Sequence, residues 1–576
     1  MSYPEQHSLS SSDSENTPSA SSSSQYGHNE SSGPDREGVS SRPQPGPANL
    51  PPLNTNLDQN DDRSDDWTSR GGLSDDSDEG YDSERIFKPP ARTSLRGHSR
   101  DYSPEEEREV IKKFDRRLVP FLALLYMLSF LDRSNIGNAK IAGLTDDLHL
   151  SSGKYEWLLT AFYITYIAFE WMTLMYKLVP AHIYIPLCVT SFGLVASMQC
   201  LATSFWAMAI LRALLGVSEA AFGPGVPFYL SLFYRREELA FRTALFISAA
   251  PLASSFASSL AWLIVKLGSA GPIAPWRLLF LAEGFPSVVV AVFAWMFIPD
   301  SPSQARFLTR RERKVARLRL QGSKSARHET SETFNWKAVL ETLRDPKSYL
   351  PALMFLGCNV AFSSMPVFLP TIVKDMGYSA LASQALSAPP FLAAFVVVIL
   401  TASRSDRSRT RSPYLIFHAL LSSLSYLALG IVGHFHDYIP SKLNTFLRYL
   451  CIFPATAGFF SAVTIIIVWS MDNRVAHEGK GTGVAILNVI GQCGPLIGTR
   501  LYPDADGPWY VRGMMICFLF MIFVAALAIT LRLLLARANR KLAEAERQVG
   551  IEMDTRAAEN EGLMGGRESN RFTYII

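Results

Sequence analysis

The stretch FLALLYMLSFLDRSNIGNAK, residues 121–140, decides the fold. It begins as an apolar run suited to a lipid bilayer and then meets Asp132 and Arg133 with no turn residue in between. With a helix starting at Leu118, a rise of about 1.5 Å per residue puts Asp132 roughly 21 Å into a hydrocarbon layer of about 30 Å. An ionised side chain there costs roughly 2.5–3.5 kcal/mol, so such residues face a bundle interior or a wet cavity and mark a path for ions or solutes. Two readings stay open at this point. Either the pair lies inside a bundle, or the helix starts later and leaves the pair in the outer interface, with Lys140 marking its end. Asn135, three residues beyond Asp132, extends the polar stripe on the same helix face.

The rest of the chain supports a membrane helix. Of 576 residues 48% are hydrophobic and 19% charged, but these averages combine two populations. Residues 1–105 are rich in Ser, Asp, Pro and Gly and bury too little apolar surface to offset ordering entropy, so they are expected to form a disordered tail. Beyond them, residues 118–131, 183–211, 243–265, 348–373, 376–403, 412–436 and 449–471 contain no Asp, Glu, Lys or Arg. A soluble helix of such length would show a polar face at a period of about 3.6, and FLAAFVVVILTA from residue 391 shows none. The chain therefore reads as an all-α polytopic membrane protein. Its twelve expected spans are 118–138, 156–176, 183–202, 205–230, 242–265, 277–298, 348–373, 384–403, 413–433, 446–470, 481–500 and 511–535. No cleavable signal precedes them, so the first span is expected to target the chain.

Basic residues near the span ends set an orientation. Lys112, Lys113, Arg116 and Arg117 precede the first span; Lys177 follows the second, and Arg235, Arg236 and Arg242 follow the fourth. Residues 299–346 hold Arg306, Arg310, Arg311, Arg313, Lys314, Arg317 and Arg319; Arg404, Arg407, Arg409, Arg411, Arg474 and Lys480 come later. All fall on one side, which is expected to be cytoplasmic and to hold both termini. The order is then a cytoplasmic tail 1–105, a six-helix half 106–298, a linker 299–346, a second six-helix half 347–536 and a tail 537–576. The linker run FLTRRERKVARLRL reads as a solvated amphipathic interfacial helix, and KLAEAERQ as an extension of the last span. The Arg run lacks the interleaved aromatics of a nucleic-acid surface. The formal charge of +3 says little about partners.

A second polar constellation lies in LRALLGVSEAAFGPG, residues 211–225. Arg212 and Glu219, seven residues apart, share an azimuth but stand about 10 Å apart along a helix, too far to bond each other. Each needs a partner on another helix, a bound solute or water, and a static inter-helix ion pair meets that need as well as a transport role does. Gly216, Gly223 and Gly225 permit close helix approach. Glu170 and Glu283 are weaker cavity candidates, and His418 reads as a packing residue. Asn359 with Ser363 in the seventh span, and Asn488 with Gln492 in the eleventh, suit a cavity lining or inter-helix hydrogen bonding equally. The six cysteines show no metal-ligand spacing, and no phosphate-binding loop or nucleophile motif appears; neither an enzyme nor a cofactor is expected.

LDRSNIGNAKIAGL, RALLGVSEAAFGPG, WRLLFLAEGFP and FIPDSPSQARFL, together with ILNVIGQCGPLIGTRLYPDADGPWYVRGM, resemble the anion:cation symporter family of the major facilitator superfamily. The resemblance covers roughly residues 110–535 and is nearest to the fungal allantoate, nicotinate and pantothenate permease branch. It implies the major facilitator fold, twelve helices in two six-helix halves around a central cavity, with alternating access and proton-coupled transport of a small organic anion. By the same analogy Asp132 and Glu219 are the protonatable acids, and Arg133 and Arg212, with Asn135, Asn359, Asn488 and Gln492, contact the substrate. SRSDRSRTR, residues 403–411, resembles the superfamily's second-half gating connection and implies a charge lock of Asp406, Arg407 and Arg411; positive-inside labelling explains the same residues. The first-half copy of that connection is represented only by KLVPAH. Export of an acidic metabolite and a non-transporting nutrient sensor are the rival functions. The family implies a monomer in the plasma membrane.

Overall fold

The structure, a computed structural model, describes residues 102–268, 271–325, 336–473, 477–559 and 574–575. The tail up to residue 101 and Arg474 lie outside the described residues. The first helix, α1 (Pro104–Ala139), starts at a capping box. The Ser103 hydroxyl accepts from the Glu106 N–H, and the Glu106 carboxylate accepts from the Ser103 N–H. Pro104 presets the first turn, and three acidic residues follow where the helix dipole favours negative charge. α1 thus begins well before Leu118, inside the segment assigned by composition to the tail.

Besides the linker helices Arg310–Ser325 and Trp336–Arg344, eleven further rods follow among the described residues: α2 (Ser152–Lys177), α3 (Ala181–Leu201), α4 (Phe205–Leu230), α5 (Arg236–Gly268), α6 (Pro275–Phe297), α7 (Pro346–Asp375), α8 (Ala380–Ser408), α9 (Ser412–His434), α10 (Ser441–Asp472), α11 (His477–Gly491, continued by Gly494–Gly498) and α12 (Val511–Glu559). No strand occurs among the described residues. Ten of the rods are long and apolar enough to cross a membrane. The other two have visible reasons to fall short: α1 carries the Asp132–Arg133 pair inside its apolar run, and α11 is interrupted at Gln492–Cys493. Within the first six helices α2 packs along α4 and α3 along α6; within the last six, α9 lies between α10 and α12, and α7 packs on α11 and α12. Contacts between the two sets run through α5 with α8 and α10, and through α1 with α7.

Close backbone approach positions the polar centre. A Cβ on Gly216 would stand 2.3 Å from the Phe162 carbonyl, so α4 meets α2 at backbone distance there. On Gly137 it would stand 2.1 Å from the Val367 carbonyl, where α1 meets α7.

The linker differs from the sequence expectation. Its helix (Arg310–Ser325) does not lie apart as a solvated interfacial helix. Val315 and Ala316 are buried in one apolar cluster with Val110, Phe114 and Leu118 of α1. Arg319, 1% exposed, points inward, donates to the Phe233 carbonyl at 3.1 Å, and pairs with Glu107 and Glu238. Arg311 pairs with Glu106 at 2.9 Å, and Lys113 with Glu312. Charge patterning cannot distinguish an Arg that faces water from one that faces an acid on another element, which is why the docking was not visible in the sequence.

Candidate functional site

From Leu128 to Ala139 every residue of α1 is buried, so this part of the helix is surrounded by others on all sides. Asp132 and Arg133 therefore lie inside the bundle, which decides between the two readings of the opening stretch. Glu219 of α4 is 0% exposed and meets Arg133 of α1. Both the Nη2 and Nε groups of Arg133 donate to one oxygen, Oε2, at 2.8 and 3.2 Å, and the Ser129 hydroxyl donates to the same atom at 3.0 Å. The other oxygen, Oε1, is buried without a hydrogen-bond partner. The Arg133 guanidinium lies over the rings of Tyr166 at 4.8 Å and Phe162 at 5.1 Å.

Arg212 is 1% exposed and shares the Phe162 ring with Arg133, standing 5.4 Å from its centroid. Its Nη2 donates to the Arg133 carbonyl at 3.3 Å, whereas Nε and Nη1 have no partner. No carboxylate among the described residues pairs with it. Arg212 and Glu219 do not bond each other, as their seven-residue spacing requires. Asp132, 1% exposed, accepts one long bond from Ser287 of α6 at 3.5 Å, and its Oδ1 is unpartnered. Ser287 donates also to the carbonyl of Glu283, one turn earlier at 3.4 Å; both carboxylate oxygens of Glu283 are buried and unpartnered. Both amide atoms of Asn135 are likewise unpartnered.

The remaining expected substrate contacts lie on α7 and α11, in the last six helices. The Asn359 amide donates to the Gly491 carbonyl at 3.0 Å, a bond between α7 and α11. Asn488 is half-buried on α11, and Gln492 is buried at the helix interruption. The last six helices present an aromatic face to α1 instead: Phe362 stands 5.3 Å from Phe130 and 5.2 Å from Phe460. His418 bonds Thr401 at 2.8 Å, as a packing residue should.

The Arg-rich end carries a second charged cluster. Arg411 donates to Asp406 at 3.0 Å, to Ser405 at 3.1 Å and to Asp472 of α10 at 3.0 Å. Arg407 is exposed and stands outside it. Asp472 takes that place, and Arg236 of α5 faces Asp472 from the other set of helices. Ala240 and Ala244 of α5, Ala402 of α8 and Val468 of α10 pack together beside it. At the opposite end Lys140 pairs with Asp504 at 2.7 Å, and Thr160 meets Thr499 at 3.1 Å. The two sets of helices therefore touch at both ends. Sequence reasoning missed Asp472, Ser129, Ser287 and Phe162; the acid near the end of an apolar run in WSMDNR was the one available signal.

Twelve helical rods around buried, incompletely paired ions define a polytopic membrane transporter. The chain belongs to the Major Facilitator Superfamily, whose family profile matches residues 122–499. It is 32% identical over 451 residues to the MFS transporter prlL of Fungal sp. (strain NRRL 50135), covering 76% of this chain and 88% of the relative. It is 27% identical over 436 residues to a high-affinity nicotinic acid transporter of Saccharomyces cerevisiae, covering 76% and 79% respectively. Its fold matches the solved proton:xylose symporter XylE with a TM-score of 0.57 at 13% identity, over 71% of this chain and 94% of that one.

Proposed function

We propose that the protein is a proton-coupled symporter of a small organic anion, of the anion:cation symporter branch, working by alternating access of two six-helix halves, 106–298 and 347–536. Arg212 carries this reading: it is a buried guanidinium with two unmet donors and no carboxylate of its own, beside an Arg133–Glu219 pair that leaves one carboxylate oxygen unmet. A buried cation without a counter-ion is costly, and a substrate carboxylate supplies one in the planar geometry that guanidinium favours. Glu219 and Asp132 are the proton carriers of the proposal. Protonation of Glu219 releases the hold on Arg133, so that Arg133 and Arg212, bridged by the Phe162 ring, receive the anion together. The contacts between the helix sets at both ends support a closed state between outward and inward opening. We read the Arg-rich end as cytoplasmic, by the bias of basic residues, and the membrane as the plasma membrane.

The nicotinic acid transporter among the relatives makes nicotinate the first probe. Purified protein in liposomes, with the interior alkaline and the membrane potential clamped, is expected to accumulate labelled nicotinate or a related carboxylate above equilibrium, and to stop when the pH gradient is collapsed. Binding without accumulation in a panel of small carboxylates defeats symport and leaves a sensor.

A further inference from the structure

At the Arg-rich end the chain binds a piece of itself. Tyr574 and Ile575 lie across the end of α10 and the middle of α12, with all four of their backbone polar groups bonded. Asn539 of α12 holds Tyr574 on both sides: the Tyr574 N–H donates to Oδ1 at 3.0 Å, and its carbonyl accepts from Nδ2 at 3.0 Å. Asn473, just past α10, does the same for Ile575, at 2.8 and 3.0 Å. The indole N–H of the buried Trp469 adds a further bond to the Ile575 carbonyl at 2.8 Å. An asparagine amide offers the donor and acceptor of a peptide unit, so two of them read an extended backbone much as a neighbouring strand would. The Tyr574 ring packs on the apolar core, with the Lys347 ammonium of α7 at 5.3 Å from its centroid.

The place matters as much as the bonds. Asn473 follows Asp472, the acid that binds Arg411 and faces Arg236. Val468, which packs on Ala240 and Ala244 of α5 and on Ala402 of α8, precedes Trp469. The residues that hold Ile575 therefore bracket the turn of α10 that meets α5. While Tyr574–Ile575 is seated, that turn is tied to α12 through Asn539 and stands beside α7 through Lys347.

We propose that the start of α7, the end of α10 and the middle of α12 form a binding cleft for an extended dipeptide with an aromatic first residue, that the chain's own Tyr574–Ile575 occupies it, and that occupancy keeps α10 against α5 and restrains opening at this end. The restraint rests on the alternating-access reading above; the cleft does not. Seated, the segment acts as an internal brake, and any cytoplasmic partner that draws it away raises the rate of opening.

The test needs neither substrate nor proton gradient, and its peptide-binding arm reads the cleft independently of the proposed transport. The full chain carrying Ala402→Cys is placed in lipid nanodiscs and labelled with a water-soluble maleimide, and the rate at residue 402 is read by peptide mass spectrometry. An Asn473→Ala, Asn539→Ala double variant and a chain ending at Glu559 are both expected to label about tenfold faster. The synthetic peptide RESNRFTYII, residues 567–576, should restore slow labelling to the shortened chain in a saturable way, and the same peptide with Tyr574→Ala should not. Equal rates in all three proteins overturn the restraint. Absence of saturable peptide binding to the shortened chain overturns the cleft.

Discussion

Arg133 places two N–H groups on a single oxygen of Glu219, and the second oxygen of that carboxylate, buried to the same degree, meets no donor. A side-on fork would have engaged both oxygens and left no room for a proton. The end-on arrangement leaves Oε1 free to take a proton, and the lost charge would weaken the hold on Arg133 while the Ser129 hydroxyl keeps Oε2 in place.

Glu219→Gln follows directly. The amide oxygen replaces Oε2 as acceptor from Ser129 and Arg133, and the charge is lost. Accumulation of nicotinate driven by a pH gradient is expected to fall to background, while exchange of labelled for unlabelled anion across the membrane continues. Wild-type uptake under the gradient in this variant removes Glu219 from the coupling step.

Arg212→Lys keeps the charge but replaces the planar fork with a point charge, and it withdraws the guanidinium face from Phe162. Equilibrium binding of nicotinate should weaken at least about tenfold, or roughly 1.4 kcal/mol. Arg133→Lys should in addition lower thermal stability, since one of its two bonds to Glu219 and the contacts with Tyr166 and Phe162 are lost together. Unaltered affinity in Arg212→Lys would argue that the guanidinium binds no anion.

The number and order of the helices were legible because apolar length and the placement of Lys and Arg are one-dimensional signals. The polar centre was legible in part: Asp132, Arg133, Arg212 and Glu219 announced themselves by the cost of charge in an apolar run. Which of them would pair was not. The pairing of Arg133 with Glu219 joins α1 to α4, and how those helices come together is set by three-dimensional packing. Asn359 looked the same as a cavity residue in sequence, yet its amide bonds the Gly491 carbonyl. Helix–helix hydrogen bonding and substrate binding call for the same residue types, and only the position of the partner tells them apart.

Arg411 and Arg407 stand four residues apart and separate the buried charged cluster from ordinary surface charge. Arg411→Gln breaks bonds to Asp406, Ser405 and Asp472 and leaves Asp472 buried beside an uncharged amide. Removing one partner of such a buried pair costs about 3 kcal/mol or more, and the thermal midpoint in nanodiscs should drop accordingly. Arg407→Gln, at an exposed position, should stay within about 0.5 kcal/mol of the parent. Equal effects of the two would show that the cluster bears no load.

The docking of the linker helix should depend on pH. Glu106 lies below its ordinary value of 4.5, chiefly through its hydrogen bond from Arg311, aided by the Ser103 N–H. For Glu312, burial pushes upward, but hydrogen bonds from Lys113 and the Thr309 N–H outweigh it and the group also lies below 4.5. A carboxylate depressed in the folded state contributes its stabilisation above the unfolded value and loses it as pH falls through the lowered folded value. Both contributions are therefore intact at neutral pH, begin to decline near about 4.5, and are gone only when pH has fallen through the lowered folded values, where Lys113 and Arg311 lose their counter-charges. Hydrogen exchange across residues 310–320 should be slow from pH 7 to 5, after correction for the intrinsic rate, and rise steeply toward pH 3. A Glu106→Gln, Glu312→Gln pair should exchange faster at pH 7 and lose most of that steepness. A parent profile that stays flat down to pH 3 would mean that Val315, Ala316 and the buried Arg319 hold the helix without help from the two surface carboxylates.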